Sequence, residues 1–263
     1  MKLTSERARQ LLASAGAILE GHFVGTSGKH LSAYIAKDRG TRLTSVASEL
    51  CAGLAEMFAA DNIDCVVSPA VGGVALSQWT AHHLSLLRPD RPEVLALYSE
   101  HQEEVIAQPD EDHGRPIVIK LPWQKQDDTT DILRILKGEK LVLVKPSFVL
   151  KRGFASDVRG KRTLGIEDIL TTGGSAERTA RAIEEADGIC VGFGVLANGG
   201  GVTAEDLRVP RLEALMTVKR QIFTKEECAD HGLCKAGVPV NTDFGHGAAF
   251  LAEQVARLRA QPE

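Results

Sequence analysis

The chain has 263 residues, of which 43% are hydrophobic and 25% charged, the composition of a globular protein rather than a disordered or fibrous one. At this length folding is expected to bury about three-quarters of the unfolded chain's surface, so a core forms without covalent staples. Thirty-one Lys and Arg against 35 Asp and Glu leave a formal charge of −4, which argues against a long basic face for a nucleic-acid backbone.

No run of about 18 apolar residues is present, and the first twenty positions mix charge with apolar residues at helical spacing, so neither a membrane span nor a signal peptide is expected. The cysteines, Cys51, Cys65, Cys190, Cys228 and Cys234, are odd in number. Reduced thiols in a cytoplasm are therefore expected rather than a disulfide framework.

In chain order, apolar spacing predicts helices over 5–19 and 45–60, then a short buried strand, Cys65-Val66-Val67, ending at Ser68-Pro69. Gly72-Gly73 leads into a helix over 74–87. Strands follow at 94–98, 162–166 and 189–196, with helices over 175–186 and 248–259. Strands alternating with helices predict an α/β protein, a doubly wound, mostly parallel sheet flanked by helices. Ligands of such sheets bind beyond the carboxyl ends of strands, which directs attention to the turns after Val67, Ile166 and Leu196.

The segment 101–145 is too polar and irregular to continue the sheet smoothly and reads as an insertion or lid. Its apolar-periodic pieces predict a small hairpin around 117–121 and a short helix at 130–136. The roles open to it are a cover over a reactive site, a lineage decoration or an oligomer contact. The rest reads as a single domain over 1–263, with a small hood formed by an N-terminal part over 1–45 and a C-terminal extension over 223–263 that is turn-rich before its final helix.

The most informative stretch is 163–175, TLGIEDILTTGGS. Gly173 and Gly174 let backbone amides approach an anion without a Cβ in the way, and Ser175 is a good helix N-cap. The N-terminus of the following helix adds unpaired N–H donors and about half a positive charge, which suits a phosphate. Thr171 and Thr172 offer hydroxyl donors to the same group. Glu167 and Asp168 repel a phosphate and are instead acceptors for something attached to it, such as the vicinal hydroxyls of a ribose. The GxxxxGK[ST] and GxGxxG patterns of nucleoside-triphosphate and dinucleotide sites are absent.

At these residues the chain resembles the type I phosphoribosyltransferases, whose signature for phosphoribosyl pyrophosphate is a hydrophobic strand, two acids and a Thr-Thr-Gly turn. Three further blocks resemble the orotate branch: 16–34 (GAILEGHFVGTSGKHLSAY), 66–76 (VVSPAVGGVAL) and 227–247 (ECADHGLCKAGVPVNTDFGHG). The resemblance implies transfer of a 5-phosphoribosyl group from phosphoribosyl pyrophosphate to orotate, with Mg2+ bound through substrate oxygens, no membrane or nucleic-acid partner, and a cytoplasmic homodimer. It implies that Ala70, Val71, Gly72 and Gly73 offer amides to pyrophosphate, that Lys151 and Arg152 neutralise the leaving group alongside Asp168 as catalytic residues, and that 1–45 forms a base-binding hood with Ser27, Gly28 and Lys29 on the substrate.

The base side departs from the family pattern. Thr26 stands where many relatives have a cation before Ser-Gly, Gly199 where they have an Arg, and His101 where they have a Lys. The cations at the Thr26 and Gly199 positions are those the resemblance pairs with the carboxylate of orotate, and Lys29 or Arg39 are the candidate substitutes in this chain. The departures leave two alternatives open, a phosphoribosyltransferase for a different base and a non-catalytic sensor of phosphoribosyl pyrophosphate. His82-His83 reads as helix surface. Cys228, His231 and Cys234, with His246 nearby, read either as zinc ligands at a non-standard Cys-x5-Cys spacing or as a metal-free packed tail.

Overall fold

The computed structural model describes residues 3–25, 28–107, 132–136, 140–218 and 220–259. In chain order the elements are α1 (Ser5–Ser14), β1 (Ile18–Val24), β2 (His30–Ile35), α2 (Lys37–Thr41), α3 (Thr44–Met57), β3 (Cys65–Pro69), α4 (Val74–Leu86), β4 (Leu95–Ala107), β5 (Ile132–Leu136), β6 (Lys140–Val149), α5 (Phe154–Val158), β7 (Arg162–Leu170), α6 (Gly174–Glu185), β8 (Ile189–Asn198), β9 (Leu212–Thr217), β10 (Ile222–Phe223), α7 (Lys225–His231) and α8 (Gly247–Arg259).

Seven strands form the main sheet in the order β5-β6-β4-β3-β7-β8-β9. β4, β3, β7, β8 and β9 are mutually parallel, and β6 and β5 add to the β4 edge antiparallel. Period-two alternation sends Val66, Leu164, Ile166 and Leu196 to a layer shared with α1, α3 and α4. Cys65, Val67, Phe193 and Val195 go to the opposite layer, shared with α6. Both faces are therefore covered, as a central parallel strand requires, and the doubly wound α/β arrangement expected from the sequence is present.

Three local expectations are corrected. The first helix ends at Ser14 rather than 19, because the chain turns at Gly16 (φ 66°) and Ile18–Val24 pairs with β2 instead. The sheet does not stop at 98: β4 runs to Ala107 and pairs from Glu100 onward with β6. The short helix at 130–136 is instead strand β5, because its β-branched and aliphatic residues Ile132, Leu133, Ile135 and Leu136 complete a ladder with β6. The hairpin expected around 117–121 lies outside the described residues.

A second, three-stranded sheet has the order β1-β2-β10. The C-terminal segment runs beside it: His22 and Val240 form a parallel bridge, and the amides of Asn241 and His246 donate to the carbonyls of His22 and Val24 at 2.7 and 2.8 Å. Residues more than 200 positions apart thus share one small layer. Among the described residues no helix is long and apolar enough to cross a membrane.

Candidate active site

Three segments converge at the carboxyl edge of the parallel strands. The first is the turn between β7 and α6. Gly173 adopts φ 87°, and a Cβ there would lie 2.8 Å from Leu207 and 3.0 Å from Val202, so a side chain is excluded on two counts. Gly173, not Ser175, is the N-cap of α6, and no side chain caps the helix. Ser175 is displaced into the first turn because the left-handed glycine already redirects the chain. The first amides of α6 therefore remain available to an anion. Thr171 and Thr172 are exposed, and an open pocket of about 70 Å3 lies between Glu167, the 171–175 turn and Arg178.

The second segment is the acid pair at the end of β7. Glu167 is 6% exposed and Asp168 4%. The Asp168 amide donates to Glu167 Oε1 at 3.0 Å, and the Ile169 amide to Asp168 Oδ1 at 2.6 Å. Asp168 Oδ2 is paired with Lys37 Nζ, which α2 brings over from the hood. Burial disfavours the charge on Lys37, but the field and hydrogen bond of Asp168, helped by Glu167 and Asp38, outweigh it and raise its pKa. Glu167 is pushed up to about 8, first by burial and then by the neighbouring Asp168 charge.

The Glu167 shift makes a stability prediction for the substrate-free protein. A carboxyl whose folded pKa lies above its unfolded value binds more protons when folded, so its contribution is fully present below the unfolded pKa of about 4.3. It is lost as pH rises through about 8. Glu167→Gln is therefore expected to raise the melting temperature at pH 8.5 but not at pH 4, a difference readable by scanning calorimetry across about that range. Parallel melting curves for the two proteins over the whole range would show that Glu167 ionises normally in the fold.

The third segment, Ala70 to Gly73, links β3 to α4. Its closeness to the acids is set by Gly72, where a Cβ would lie 2.5 Å from both Asp168 Oδ2 and Lys37 Nζ. Gly73 is similarly confined, 2.6 Å from Ser68 Cβ on the same measure, and Val71 is 86% exposed at the tip. The glycine pair is therefore what lets this loop lie against the Lys37–Asp168 pair.

The other residues singled out from the sequence are distributed around this centre. Lys151 and Arg152 are exposed in the turn after β6, where Arg152 Nε donates to Glu100 at 2.8 Å and the guanidinium lies over Tyr98, so neither contacts the phosphate turn. Gly28 and Lys29 are exposed in the β1–β2 turn, and Ser27 and Thr26 lie outside the described residues. Arg39 donates to the Gly16 carbonyl and covers the Phe244 ring at 4.7 Å. His231 is corrected as a metal ligand: its side chain is 63% exposed and faces Asp230, and it is not among the ligand atoms that gather around the buried Cys228.

Three residues near the site were not read from the sequence as part of it. Lys37 follows an apolar strand by two positions, a faint signal. Arg178 lines the pocket at the 171–175 turn and stacks over Phe148 at 5.3 Å. Arg220 lies beside Gly199, where a Cβ would come 3.2 Å from its Nη2. Its Nε is buried without a hydrogen-bond partner, no ion pair joins it to another described residue, and burial lowers its pKa.

No family model matches the chain. It is 27% identical over 232 residues to the orotate phosphoribosyltransferase of Caldicellulosiruptor bescii, covering 88% of this chain and 92% of that protein. It is 28% identical over 237 residues to the orotate phosphoribosyltransferase of Pelotomaculum thermopropionicum, covering 90% and 95%. The crystal structure of orotate phosphoribosyltransferase from Mycobacterium tuberculosis superposes with a TM-score of 0.50 at 18% identity, over 81% of this chain and 97% of that one. The chain is a homologue of the orotate phosphoribosyltransferases and is built on the type I phosphoribosyltransferase fold.

Proposed function

We propose that this chain transfers the 5-phosphoribosyl group of phosphoribosyl pyrophosphate to orotate, giving orotidine 5'-phosphate and pyrophosphate. The observation that carries the reading is the uncapped start of α6 set directly behind a buried acid pair, with the Gly72 loop pressed against the same pair. The amides of 174–176 and the Thr171 and Thr172 hydroxyls hold the 5-phosphate. Glu167 and Asp168 accept the ribose hydroxyls, and the 70–73 amides face the pyrophosphate.

A nitrogen of the base displaces pyrophosphate from C1 of the ribose. The bond to the leaving group breaks largely before the new one forms, so positive charge builds on the ring and negative charge on the pyrophosphate. The buried Asp168 carboxylate beside the ring opposes the first charge, and the 70–73 amides with the cations Lys151 and Arg152 oppose the second. The donors that face the ribose are carboxylate oxygens, which suit Mg2+, and Asp168 is already engaged by Lys37. Glu167 and Asp168 thus fit a magnesium ion carried mainly by substrate oxygens and water, where it would stabilise the leaving pyrophosphate. A cytoplasmic homodimer completes the proposal.

Arg220 supplies what Gly199 lacks. An unpaired, half-buried guanidinium at the end of β8 is a costly arrangement that a carboxylate relieves, and orotate carries one. Arg220→Ala is expected to raise KM for orotate by about 10- to 100-fold while KM for phosphoribosyl pyrophosphate moves little. An equal rise in both would remove the assignment.

The deciding assay follows orotate absorbance with phosphoribosyl pyrophosphate and Mg2+, beside a panel of other bases. Consumption of orotate is expected. Consumption of another base alone would support the alternative raised by Thr26 and Gly199, and binding of the donor without any turnover would support the sensor.

A further inference from the structure

Away from the acid pair, the hood and the C-terminal extension meet at four side chains that the transferase chemistry does not use. His22 lies on β1, His30 at the start of β2, Cys228 on α7 and Cys234 in the turn after it. The first three are buried and the fourth partly so, and their ligating atoms all lie within 4.8 Å of one another. We infer that these four residues bind one zinc ion, which fastens the C-terminal extension to the N-terminal hood.

The spacing of the atoms supports tetrahedral coordination. Zinc–sulfur bonds of about 2.3 Å and zinc–nitrogen bonds of about 2.0 Å give sulfur–nitrogen edges of about 3.6 Å. His22 Nε2 lies 3.7 Å from Cys228 Sγ and 3.8 Å from Cys234 Sγ, and His30 Nδ1 lies 3.5 Å from Cys234 Sγ. A fourth of the six edges, His22 Nε2 to His30 Nδ1, is 2.6 Å, a distance at which two imidazoles share a proton. A cation in place of that proton would widen the edge by about 0.7 Å toward the tetrahedral value.

The groups behind the ligands are also arranged for a metal. His22 Nδ1 lies 2.8 Å from the Val238 carbonyl, so it carries the ring proton and leaves Nε2 with its lone pair turned inward. The Cys234 amide donates to Cys228 Sγ at 3.2 Å, which stabilises a thiolate there. The Phe250 ring meets His30 edge-on at 4.8 Å and covers that side. Two nitrogens and two sulfurs are a donor set that selects zinc over magnesium.

On binding, Cys228 and Cys234 each release a proton to solvent and the proton shared by the imidazoles moves to His30 Nε2. The ion and two thiolates sum to zero charge, which removes the cost of placing a dication in the interior. The pairs joined are 206 and 212 positions apart for His22, so the link closes a loop of most of the chain.

The test uses the full chain expressed with zinc and purified without chelator. Elemental mass spectrometry is expected to find about one zinc per chain, falling below about 0.1 in Cys234→Ser and in His22→Gln and unchanged in His231→Ala. Replacement of zinc by Co2+ in the unaltered protein is expected to give the intense visible bands of a tetrahedral ion with thiolate charge transfer, a readout that needs no variant to fold. Absence of both zinc and the cobalt spectrum would overturn the inference, as would full metal content in Cys234→Ser or its loss in His231→Ala. None of these readouts depends on transferase activity, so the two proposals fail separately.

Discussion

Asp168→Asn is expected to lower kcat/KM for phosphoribosyl pyrophosphate by about 100-fold or more, the loss of one to two charge-assisted hydrogen bonds at about 1.5–3 kcal/mol each. The Asp168 carboxylate neutralises Lys37 from a position 4% exposed, and under the proposed function it also accepts from the substrate. Asparagine keeps the shape and loses the charge, which leaves Lys37 half-buried with its main partner removed. A lowered melting temperature is expected with the lowered activity. The two effects separate in the double variant Lys37→Met/Asp168→Asn, which is expected to regain stability but not turnover. Steady-state kinetics and thermal melts of the three proteins decide the matter, and retention of both affinity and turnover in Asp168→Asn would show that the carboxylate does not hold the sugar.

Gly72→Ala is expected to cost nearly as much through space alone. Its methyl would fall 2.5 Å from Asp168 Oδ2 and from Lys37 Nζ, and 3.4 Å from Lys37 Cε, so either the ion pair parts or the 70–73 loop retreats. Displacement of a positioning group by about 1 Å costs about 100-fold in rate. Overpacking at a site that can relax outward costs only about 1–3 kcal/mol of stability, which corresponds to about 2–10 °C in Tm at this size. Activity is thus expected to fall far more than stability. A variant with unchanged kcat and KM would place the loop away from the reacting atoms.

The doubly wound core was legible in the sequence because its signals are local. The Cys65–Val67 run, the glycines after it and the IEDILTTGGS turn each carry their own propensity and chemistry. Strands β1, β2, β9 and β10 were not legible, since their partners come from distant parts of the chain and their apolar pattern is short. The same reason hid the most informative side chains. Lys37 is an ordinary lysine until α2 sets it against a carboxylate 131 residues away, and Arg220 has meaning only beside Gly199. The C-terminal cysteines drew attention by type, but spacing along the chain selected His231. Space selects His22 and His30, from the opposite terminus, instead.

β3 and β7 are hydrogen-bonded neighbours with Cys65 opposite Thr163 and Val67 opposite Gly165. The turns after β3 and β7 therefore leave the sheet side by side, from strands about 4.8 Å apart. Their separation is gauged by main-chain ladders and not by any side chain. A scaffold of this kind keeps its caliper setting while most of its residues drift, so the spacing of the two turns does not depend on the side chains by which this chain, 27% identical to a relative over 232 residues, differs from it.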